Sequence, residues 1–283
     1  MNPKCHLKRL HIQSPQASAL ANFYAQAFAM TCHEAKGTWF CQQEGREILI
    51  SEGQAGKLHY ALFEIQNSDD WADFVAQTSA LPKLSMKAYP ELPNSALGFM
   101  DPDQNCMVFV FGSELGAHGS LAHFEIKSEL LPSAESQHFA LRTQQVENMK
   151  RFYTEDLGFT LSDVVQDETG QLKACFVRGN EMHHTLALFG APVSCFDHQS
   201  FETPSWDELK DWADHMGKLR IEIVWGVGRH GPGNDVFFMV RDPDGNLAEI
   251  SSEIEICTDS RAVGQWKHEE RTLNLWGKAI MRS

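Results

Sequence analysis

Two histidines and one glutamate in the second half of the sequence, His138, His198 and Glu249, are residue types that can hold a catalytic metal ion. The histidines lie in strand-like runs, and Glu249 lies in a predicted strand that follows the turn at 242–246. Two imidazoles and one carboxylate form the facial triad of non-haem Fe(II) sites, which leaves positions open for a bidentate substrate and dioxygen. On residue types alone this triad is one selection among 13 histidines, and a structural role for each histidine stays open.

A diverged internal repeat supplies the elements that must position these side chains. Three landmarks recur in order: a strand-like run with a histidine, a helix around a Phe-Tyr pair, and an Asp-Pro-Asp-x-Asn turn. They lie at 9–12 and 137–141, at 22–28 and 151–159, and at 101–105 and 242–246. The offsets, 138 − 11 = 127, 152 − 23 = 129 and 242 − 101 = 141, are nearly constant. The sequence therefore predicts two similar halves.

Short strand patterns alternate with single helices between the landmarks, which predicts an α+β fold with two copies of a strand–helix–strands module in each half. A further strand is predicted at 122–126, between the halves. Ser205 and Glu208 form a capping-box pattern before a helix. The predicted buried face of that helix carries four residues: Trp206, Leu209, Ala213 and Met216.

The halves resemble the vicinal oxygen chelate superfamily, and the whole chain resembles the type I extradiol catechol dioxygenases. The most specific stretches are 228–234 and 241–249. In that family the second ligand histidine lies about sixty residues after the first, and the glutamate lies about fifty residues further on, seven after the aspartate of the turn. The spacings here are 198 − 138 = 60, 249 − 198 = 51 and 249 − 242 = 7.

The resemblance implies two tandem vicinal-oxygen-chelate domains, each of paired βαβββ modules. The expected division is a non-catalytic domain at 1–115, a linker at 116–135, a catalytic domain at 136–260 and a tail at 261–283 that could be an active-site lid.

The resemblance also implies an oxidoreductase that cleaves a substituted catechol with dioxygen beside one hydroxyl group. Fe(II), or alternatively Mn(II), would be held by the triad. In the first half Val108 takes the place of the glutamate. Because an alkyl side chain cannot bind a metal, the first half should hold none, although His11 and His59 persist.

Two more histidines match family positions. His184 resembles the acid–base histidine, and His230 resembles a histidine that hydrogen-bonds the substrate. Where the family usually has a tyrosine, ten residues before the glutamate, this chain has Met239, which has no hydroxyl to donate. Either another group takes that role, the chemistry differs, or the register slips and Phe238 fills the space.

The substrate contacts are expected to include Trp225, Phe201 and Met239, which favour an uncharged substituted ring. Arg271 lies in the tail segment 266–277, which resembles a segment that closes over the active site in some of these dioxygenases. Two other readings stay open: a metalloenzyme of the same superfamily with different chemistry (hydroquinone cleavage, isomerase or lyase), and a metal-free protein that binds an aromatic ligand.

Composition limits the remaining classes. The 24 basic and 38 acidic side chains among 283 residues give a formal charge of −14, which makes nucleic acid and anionic membranes poor partners. No window approaches 18 apolar residues, and the first residues lack the pattern of a signal peptide, so we expect a cytoplasmic protein. The seven cysteines form no Cys-x-x-Cys and are expected to be reduced. The resemblance implies a homo-oligomer.

Overall fold

The first of two β-sheets is built from the N-terminal half of the chain. The computed structural model describes residues 2–112 and 131–282. The first sheet has seven strands in the order β2-β3-β4-β1-β5-β7-β6. Their bounds are β1 Cys5–Ser14, β2 Thr31–Ala35, β3 Thr38–Gln43, β4 Arg46–Glu52, β5 Lys57–Ile65, β6 Leu97–Met100 and β7 Cys106–Phe111. Helices α1, Ala17–Ala27, and α2, Ser68–Gln77, and a 3-10 turn at Met86–Ala88 connect them.

The second sheet has nine strands in the order β13-β14-β15-β12-β8-β11-β10-β9-β16. Their bounds are β8 Glu135–Thr143, β9 Thr160–Gln166, β10 Leu172–Arg178, β11 Leu186–Gly190, β12 Cys195–Glu202, β13 Ile223–Arg229, β14 Val236–Arg241, β15 Leu247–Ser252 and β16 Gly264–Lys267. Helix α3, Val146–Arg151, continues into a π-helical turn at Phe152–Asp156. The other helices are α4, Trp206–Lys218, and α5, Glu270–Leu273.

The two sheets repeat one pairing pattern. In the first, β1 pairs with β4 in parallel and with β5 antiparallel, and β5 pairs with β7 in parallel. In the second, β8 pairs with β11 in parallel and with β12 antiparallel, and β12 pairs with β15 in parallel. The predicted α+β class and the predicted repeat are therefore confirmed. The domain boundaries stay a prediction, and the strand expected at 122–126 lies outside the described residues.

The register of the second sheet follows from burial on one face. Phe139, Phe201 and Ile250 lie on β8, β12 and β15 and are fully or almost fully buried in one apolar cluster. The ring of Phe201 packs against Phe28, with their centroids 5.3 Å apart. Phe201, expected beside the substrate, therefore lies in the core. The reason is strand alternation: His198 and Ser200 share one face of β12, and Phe201, the next residue, points to the opposite face.

The turn at Asp242 fixes the hairpin that carries Glu249. Asp242 Oδ1 accepts hydrogen bonds from the backbone N–H groups of Asp244 and Asn246, and its Oδ2 accepts one from the Asn246 side chain. Burial raises the pKa of Asp242 to about 6. In the turn at Asp101, Asp103 and Asn105 donate the same three hydrogen bonds to the Asp101 carboxylate.

The helix predicted after Ser205 forms, but its first turn differs from the prediction. The Ser205 hydroxyl donates to the Glu208 carboxylate, 2.7 Å away, and caps no backbone N–H. Trp206, expected on the buried face, is 41% exposed and packs on Trp276 of the tail. Trp212 instead fills the buried face with Leu209 and Met216. Among the described residues, no helix is long and apolar enough to cross a membrane.

We expect Asp242→Ala to lower the free energy of unfolding by about 2–3 kcal/mol, because it leaves the buried N–H of Asn246 without its acceptor. Urea denaturation of the metal-free protein measures this loss. Asp244→Ala is the matched control, since Asp244 accepts only a surface hydrogen bond from Gln16, and it should cost less than about 1 kcal/mol. Equal losses in the two variants would contradict this role of Asp242.

Candidate metal centre and aromatic cavity

Three neighbouring strands bring the three predicted ligands together. On β12, Ser200 pairs with His138 of β8 on one side and with Glu249 of β15 on the other. His198 lies two residues before Ser200 and so shares its face. The Nε2 atoms of His138 and His198 are 3.3 Å apart, and His198 Nε2 is 3.8 Å from Glu249 Oε2. All three residues are buried, and their ligand atoms lie within 4.8 Å of one another.

Neighbouring oxygens set the orientation of both imidazoles. Gln137 donates from Nε2 to the carbonyl oxygen of His184, at 2.7 Å, which leaves its Oε1 to accept from His138 Nδ1. Asp197 Oδ1 accepts from His198 Nδ1 at 2.6 Å. A neutral imidazole that donates from Nδ1 has its lone pair on Nε2. Both Nε2 lone pairs therefore point toward Glu249, the arrangement found for metal-bound histidines.

A β-bulge places Asp197 beside His198. The register of β12 against β8 shifts between Phe196 and His198, so Asp197 is the extra residue. Without the bulge, adjacent strand residues would point to opposite faces. Burial alone would raise the pKa of Asp197, but the charge of Arg282 and the hydrogen bond from His198 hold it well below its usual value. Asp197 is therefore a buried anion at neutral pH.

The donor set fits a divalent cation. Glu249 Oε1 accepts from the Ser200 hydroxyl at 3.1 Å, whereas Glu249 Oε2 is buried without a hydrogen-bond partner. Burial lowers the pKa of His138 to about 3. Burial would raise the pKa of Glu249, but the imidazoles of His230 and His138 lower it to about 2. An unprotonated His138 and an ionised Glu249 are the states in which these two groups bind a divalent metal.

His184 reaches the cavity beside His138, with their ring centroids 4.3 Å apart. Its Nδ1 lies 3.0 Å from Nδ1 of His183, and His183 Nε2 lies 3.1 Å from an oxygen of Asp163. The carboxylate favours a proton on His183 Nε2, so the His183 Nδ1 accepts and the His184 Nδ1 donates. Burial, with the nearby imidazoles, lowers the pKa of His184 well below 6.5. His184 is therefore neutral, with its Nε2 lone pair free.

His230 lies on the other side of Glu249. Its ring stacks on Phe237 at 3.7 Å, its Nδ1 donates to the carbonyl oxygen of Leu273 at 2.5 Å, and its Nε2 is 3.9 Å from Glu249 Oε2. Burial would lower the pKa of His230, but the charges of Asp235 and Glu249 raise it. Asp235 itself is fully buried, and burial raises its pKa to about 7. His230, Asp235 and Glu249 form a second group of converging ligand atoms.

An aromatic and apolar cavity opens above these groups. It is lined by His138, Phe176, His184, Ala187, Phe189, His198, Trp225, His230, Pro232, Met239, Leu273 and Arg282. Of the four residues expected to contact substrate, Trp225 and Met239 line the cavity. Phe201 lies in the core, and Arg271 is exposed on α5, because Thr272 and Leu273 are the residues this short helix buries. Phe238 is also in the core, so Met239 occupies the cavity position.

The tail contributes to the cavity from a separate part of the chain. Strand β16 pairs with β9, and Trp266 Nε1 donates to Asp163 at 2.6 Å. Beyond it, Leu273 and Arg282 form part of the cavity wall. Whether the tail opens and closes as a lid stays a prediction.

In the first half, Val108 occupies the position equivalent to Glu249, as expected, but His11 and His59 do not occupy the positions of the two histidines. Arg9 pairs with Leu62, which pairs with Val108, and this row matches the row of His138, Ser200 and Glu249. A register shift also falls at His59, so His59 matches the bulged Asp197 and Tyr60 matches His198. His11 therefore lies two residues after the position equivalent to His138, because the 127-residue offset misaligns β1 with β8 by two residues. His59 lies one residue before the position equivalent to His198.

Sequence reasoning missed several residues that support the site. Gln137, His183 and Asp197 each directly precede a histidine assigned a role, and that adjacency was an available signal. Asp163, Asp235 and Arg282 have no local signal, because they reach the site from other segments. Phe176 and Phe189 of the cavity wall lie on strands that were predicted, but their face could not be assigned.

Comparison with known proteins places this site in a family context. Residues 136–250 match the model of the Glyoxalase/Bleomycin resistance protein/Dioxygenase superfamily. The chain is 28% identical over 245 residues to Metapyrocatechase 2 of Cupriavidus necator, covering 81% of this chain and 75% of that protein. It is 29% identical over 153 residues to Biphenyl-2,3-diol 1,2-dioxygenase 3 of Rhodococcus globerulus, covering 50% of this chain and 75% of that protein.

Among solved structures, the Mn(II)-bound glyoxalase from Novosphingobium aromaticivorans superposes with a TM-score of 0.78 at 23% identity. The match covers 98% of this chain and 92% of that chain. At this identity the likeness establishes the fold, and it extends over both sheets.

We expect His198→Ala and Glu249→Ala each to abolish stoichiometric binding of Fe(II) or Mn(II), because two remaining ligands hold a divalent ion poorly. Metal content after anaerobic loading and gel filtration measures this. His215→Ala is the control and should bind like the wild type, because His215 lies on α4 outside the cavity lining, with its Nε2 3.0 Å from the carbonyl oxygen of Gln26. Retention of one metal per chain in both ligand variants would remove the triad assignment.

Proposed function

We propose that this chain is an extradiol dioxygenase. It cleaves the ring of a substituted catechol with dioxygen, between a hydroxylated carbon and its unhydroxylated neighbour. Residues 136–250 match the model of the Glyoxalase/Bleomycin resistance protein/Dioxygenase superfamily. Similar proteins are named metapyrocatechase and biphenyl-2,3-diol dioxygenase. One observation carries the proposal: two imidazole lone pairs and an unpartnered carboxylate oxygen converge beneath an aromatic cavity that also holds a neutral histidine.

His138, His198 and Glu249 would hold the metal, Fe(II) or alternatively Mn(II). When bound, the ion would supply Lewis-acid and redox chemistry for the reaction of a catechol with dioxygen. The three ligand atoms converge beside the cavity, which His138 and His198 line, so a substrate in the cavity would reach a bound ion. Burial of Glu249 keeps water from competing at its free oxygen.

His184 takes the catechol proton. Its Nε2 is the free nitrogen, because Nδ1 is engaged by His183, and its lowered pKa keeps it unprotonated before substrate binds. A positioned base of this kind accepts the proton that the catechol hydroxyl loses. As an acid, it can later return that proton to an oxygen of the product. The Asp163 carboxylate, 3.1 Å from His183 Nε2, favours the His183 tautomer whose Nδ1 accepts from His184.

His230 stabilises the anionic substrate oxygen. Its Nδ1 is bound to the Leu273 carbonyl, so its protonated form presents an N–H at Nε2. Its raised pKa favours that form. Met239 supplies no hydroxyl beside the ligand Glu249, to which it is paired on the adjacent strand, so we assign the hydrogen bond to the substrate oxygen to His230.

The cavity wall selects a flat and largely apolar ring. Phe176 and Phe189 lie on β10 and β11, and Trp225 lies on β13 with its N–H already donated to the carbonyl oxygen of Lys278. Aromatic walls of this kind stack or pack edge-on against a catechol ring. The substrate class is therefore an aromatic catechol with an apolar substituent.

The proposal also includes the cellular compartment, the role of the first half and the oligomeric state. All seven cysteines are free, and six are buried, which suits a reducing cytoplasm. The first half supports the catalytic half and holds no metal, and the protein works as a homo-oligomer.

A second function keeps the fold and metal but changes the reaction. Met239 removes the usual hydroxyl, and the chain shares its fold with a Mn(II)-bound glyoxalase, so an isomerase, a lyase or a hydroquinone-cleaving enzyme would use the same ligand set. A metal-free aromatic-binding protein is a third reading, and the absence of bound metal after loading would favour it.

We expect the Fe(II)-loaded protein to consume one dioxygen per catechol cleaved and to form a yellow product. The measurement follows oxygen uptake and visible absorbance with a panel of substituted catechols and hydroquinones. Uptake with catechols ranks the substrates, whereas uptake with hydroquinones alone would favour the second function. No uptake with any ring, despite one bound metal per chain, would defeat the dioxygenase proposal.

We expect His184→Phe to keep metal and catechol binding while turnover falls by roughly 10²–10⁴-fold, the usual contribution of a positioned acid–base group. Steady-state kinetics and anaerobic catechol titration separate the two effects. His268→Phe, in the tail and away from the cavity lining, is the control and should turn over normally. Unchanged turnover in His184→Phe would dispose of the acid–base role.

A further inference from the structure

We propose that Arg282 is a positioning residue for the metal site. It holds Asp197, and through Asp197 it holds the ring of His198, while its guanidinium forms one wall of the cavity. The proposal rests on the metal site proposed above. It assigns to the tail a part in metal binding that differs from covering the substrate.

The guanidinium of Arg282 meets Asp197 at two points. Its Nη2 donates to Oδ1 at 2.8 Å, and its Nε lies 3.2 Å from Oδ2. The same Oδ1 accepts from His198 Nδ1 at 2.6 Å. A two-point contact from a planar fork fixes both the position and the rotation of a carboxylate. The direction of the hydrogen bond to His198, and so of the His198 lone pair, therefore depends on Arg282.

The faces of the guanidinium are held by the cavity walls. Arg282 lies over the ring of Trp225 at 4.8 Å and over the ring of Phe189 at 5.0 Å. Its Nη1 donates to the carbonyl oxygen of Ile280 at 2.6 Å, and its side chain is 2% exposed. Arg282 is thus fixed on its edges by hydrogen bonds and on its faces by two aromatic rings.

The tail that carries Arg282 is tied to the same wall. Trp225 Nε1 and Asn274 Nδ2 both donate to the carbonyl oxygen of Lys278, at 3.0 and 2.9 Å. A ring that enters the cavity beside Trp225 therefore contacts a wall joined to His198 through Arg282 and Asp197. Substrate contact and ligand orientation share one set of side chains.

Arg142 provides an internal comparison. It also pairs with Asp197, from β8, with Nε 2.5 Å from Oδ2. Its side chain is 33% exposed, and it is not part of the cavity lining. Both arginines compensate the charge of Asp197, but Arg282 meets it at two points and Arg142 at one, so the distinct contribution of Arg282 is orientation. The two arginines separate charge compensation from positioning.

The test is a Co(II) titration of the metal-free protein, followed by visible absorbance, in five proteins: wild type, Arg282→Met, Arg142→Met, Asp197→Asn and the double variant Asp197→Asn/Arg282→Met. Loss of a group that orients a ligand weakens metal binding by about 10–100-fold. We expect about 10-fold weaker binding in Arg282→Met, but less than about 3-fold in Arg142→Met, which loses a partly exposed pair.

The double variant tests whether the effect of Arg282 on metal binding passes through Asp197. If Arg282 acts through Asp197, Arg282→Met should weaken Co(II) binding no further in the Asp197→Asn background. Arg282→Lys keeps the charge without the fork and should bind Co(II) with intermediate affinity. If Arg282→Met does not give the circular dichroism spectrum of the wild type, Arg282→Lys replaces it in the test.

Three results would overturn the inference. Unchanged Co(II) affinity in Arg282→Met would do so, as would equal losses in the two arginine variants, which would indicate charge compensation alone. Additive losses in the double variant would show that Arg282 does not act through Asp197. A wild-type protein that binds no Co(II) would defeat the metal site itself, and with it the proposed function, and that outcome is separate from the other three.

Discussion

The register of β8, β12 and β15 is the constraint on which the site depends. His138, Ser200 and Glu249 lie in one row across these strands, and the adjacent residues Phe139, Phe201 and Ile250 face the opposite side. Burial of such side chains stabilises the fold by about 1.5–3 kcal/mol each. A slip of one residue would expose them to the cavity and turn the ligands into the core. Apolar burial on one face therefore places polar chemistry on the other.

The first half has the same strands, but different side chains occupy the equivalent positions. At the position of His138 it has Arg9, whose Nε lies 2.7 Å from Glu47 and whose Nη1 lies 3.4 Å from the hydroxyl of Tyr60. The side chain itself supplies a positive charge there. In the second half, imidazole lone pairs and a carboxylate oxygen converge instead, and we propose that they hold a cation. One duplicated scaffold can thus be completed by its own arginine or by a metal.

The proposed ligands were named from the family resemblance, because spacings of 60, 51 and 7 residues match it here. The turn at Asp242 sets the distance to Glu249 along one hairpin, and strand-like patterns surround both histidines. Strand alternation determines whether Phe201 faces the cavity or the core, but the choice can be made only once the strand register is known. The bulge at Asp197 shifts the count by one residue, which no periodicity reveals. In the first half, the 127-residue offset led to the wrong equivalence for His11. Asp163 and Arg282 meet the site only through tertiary packing.

The measurement that tests the account most directly is the anomalous diffraction of crystals of the full chain grown with Mn(II). The account predicts one peak per chain, at bonding distance from His138 Nε2, His198 Nε2 and Glu249 Oε2, with none near Val108. A peak between His230, Asp235 and Glu249 would contradict the assigned ligand set, since that second group also converges in this cavity. The absence of any peak at saturating Mn(II) would contradict the metal centre altogether.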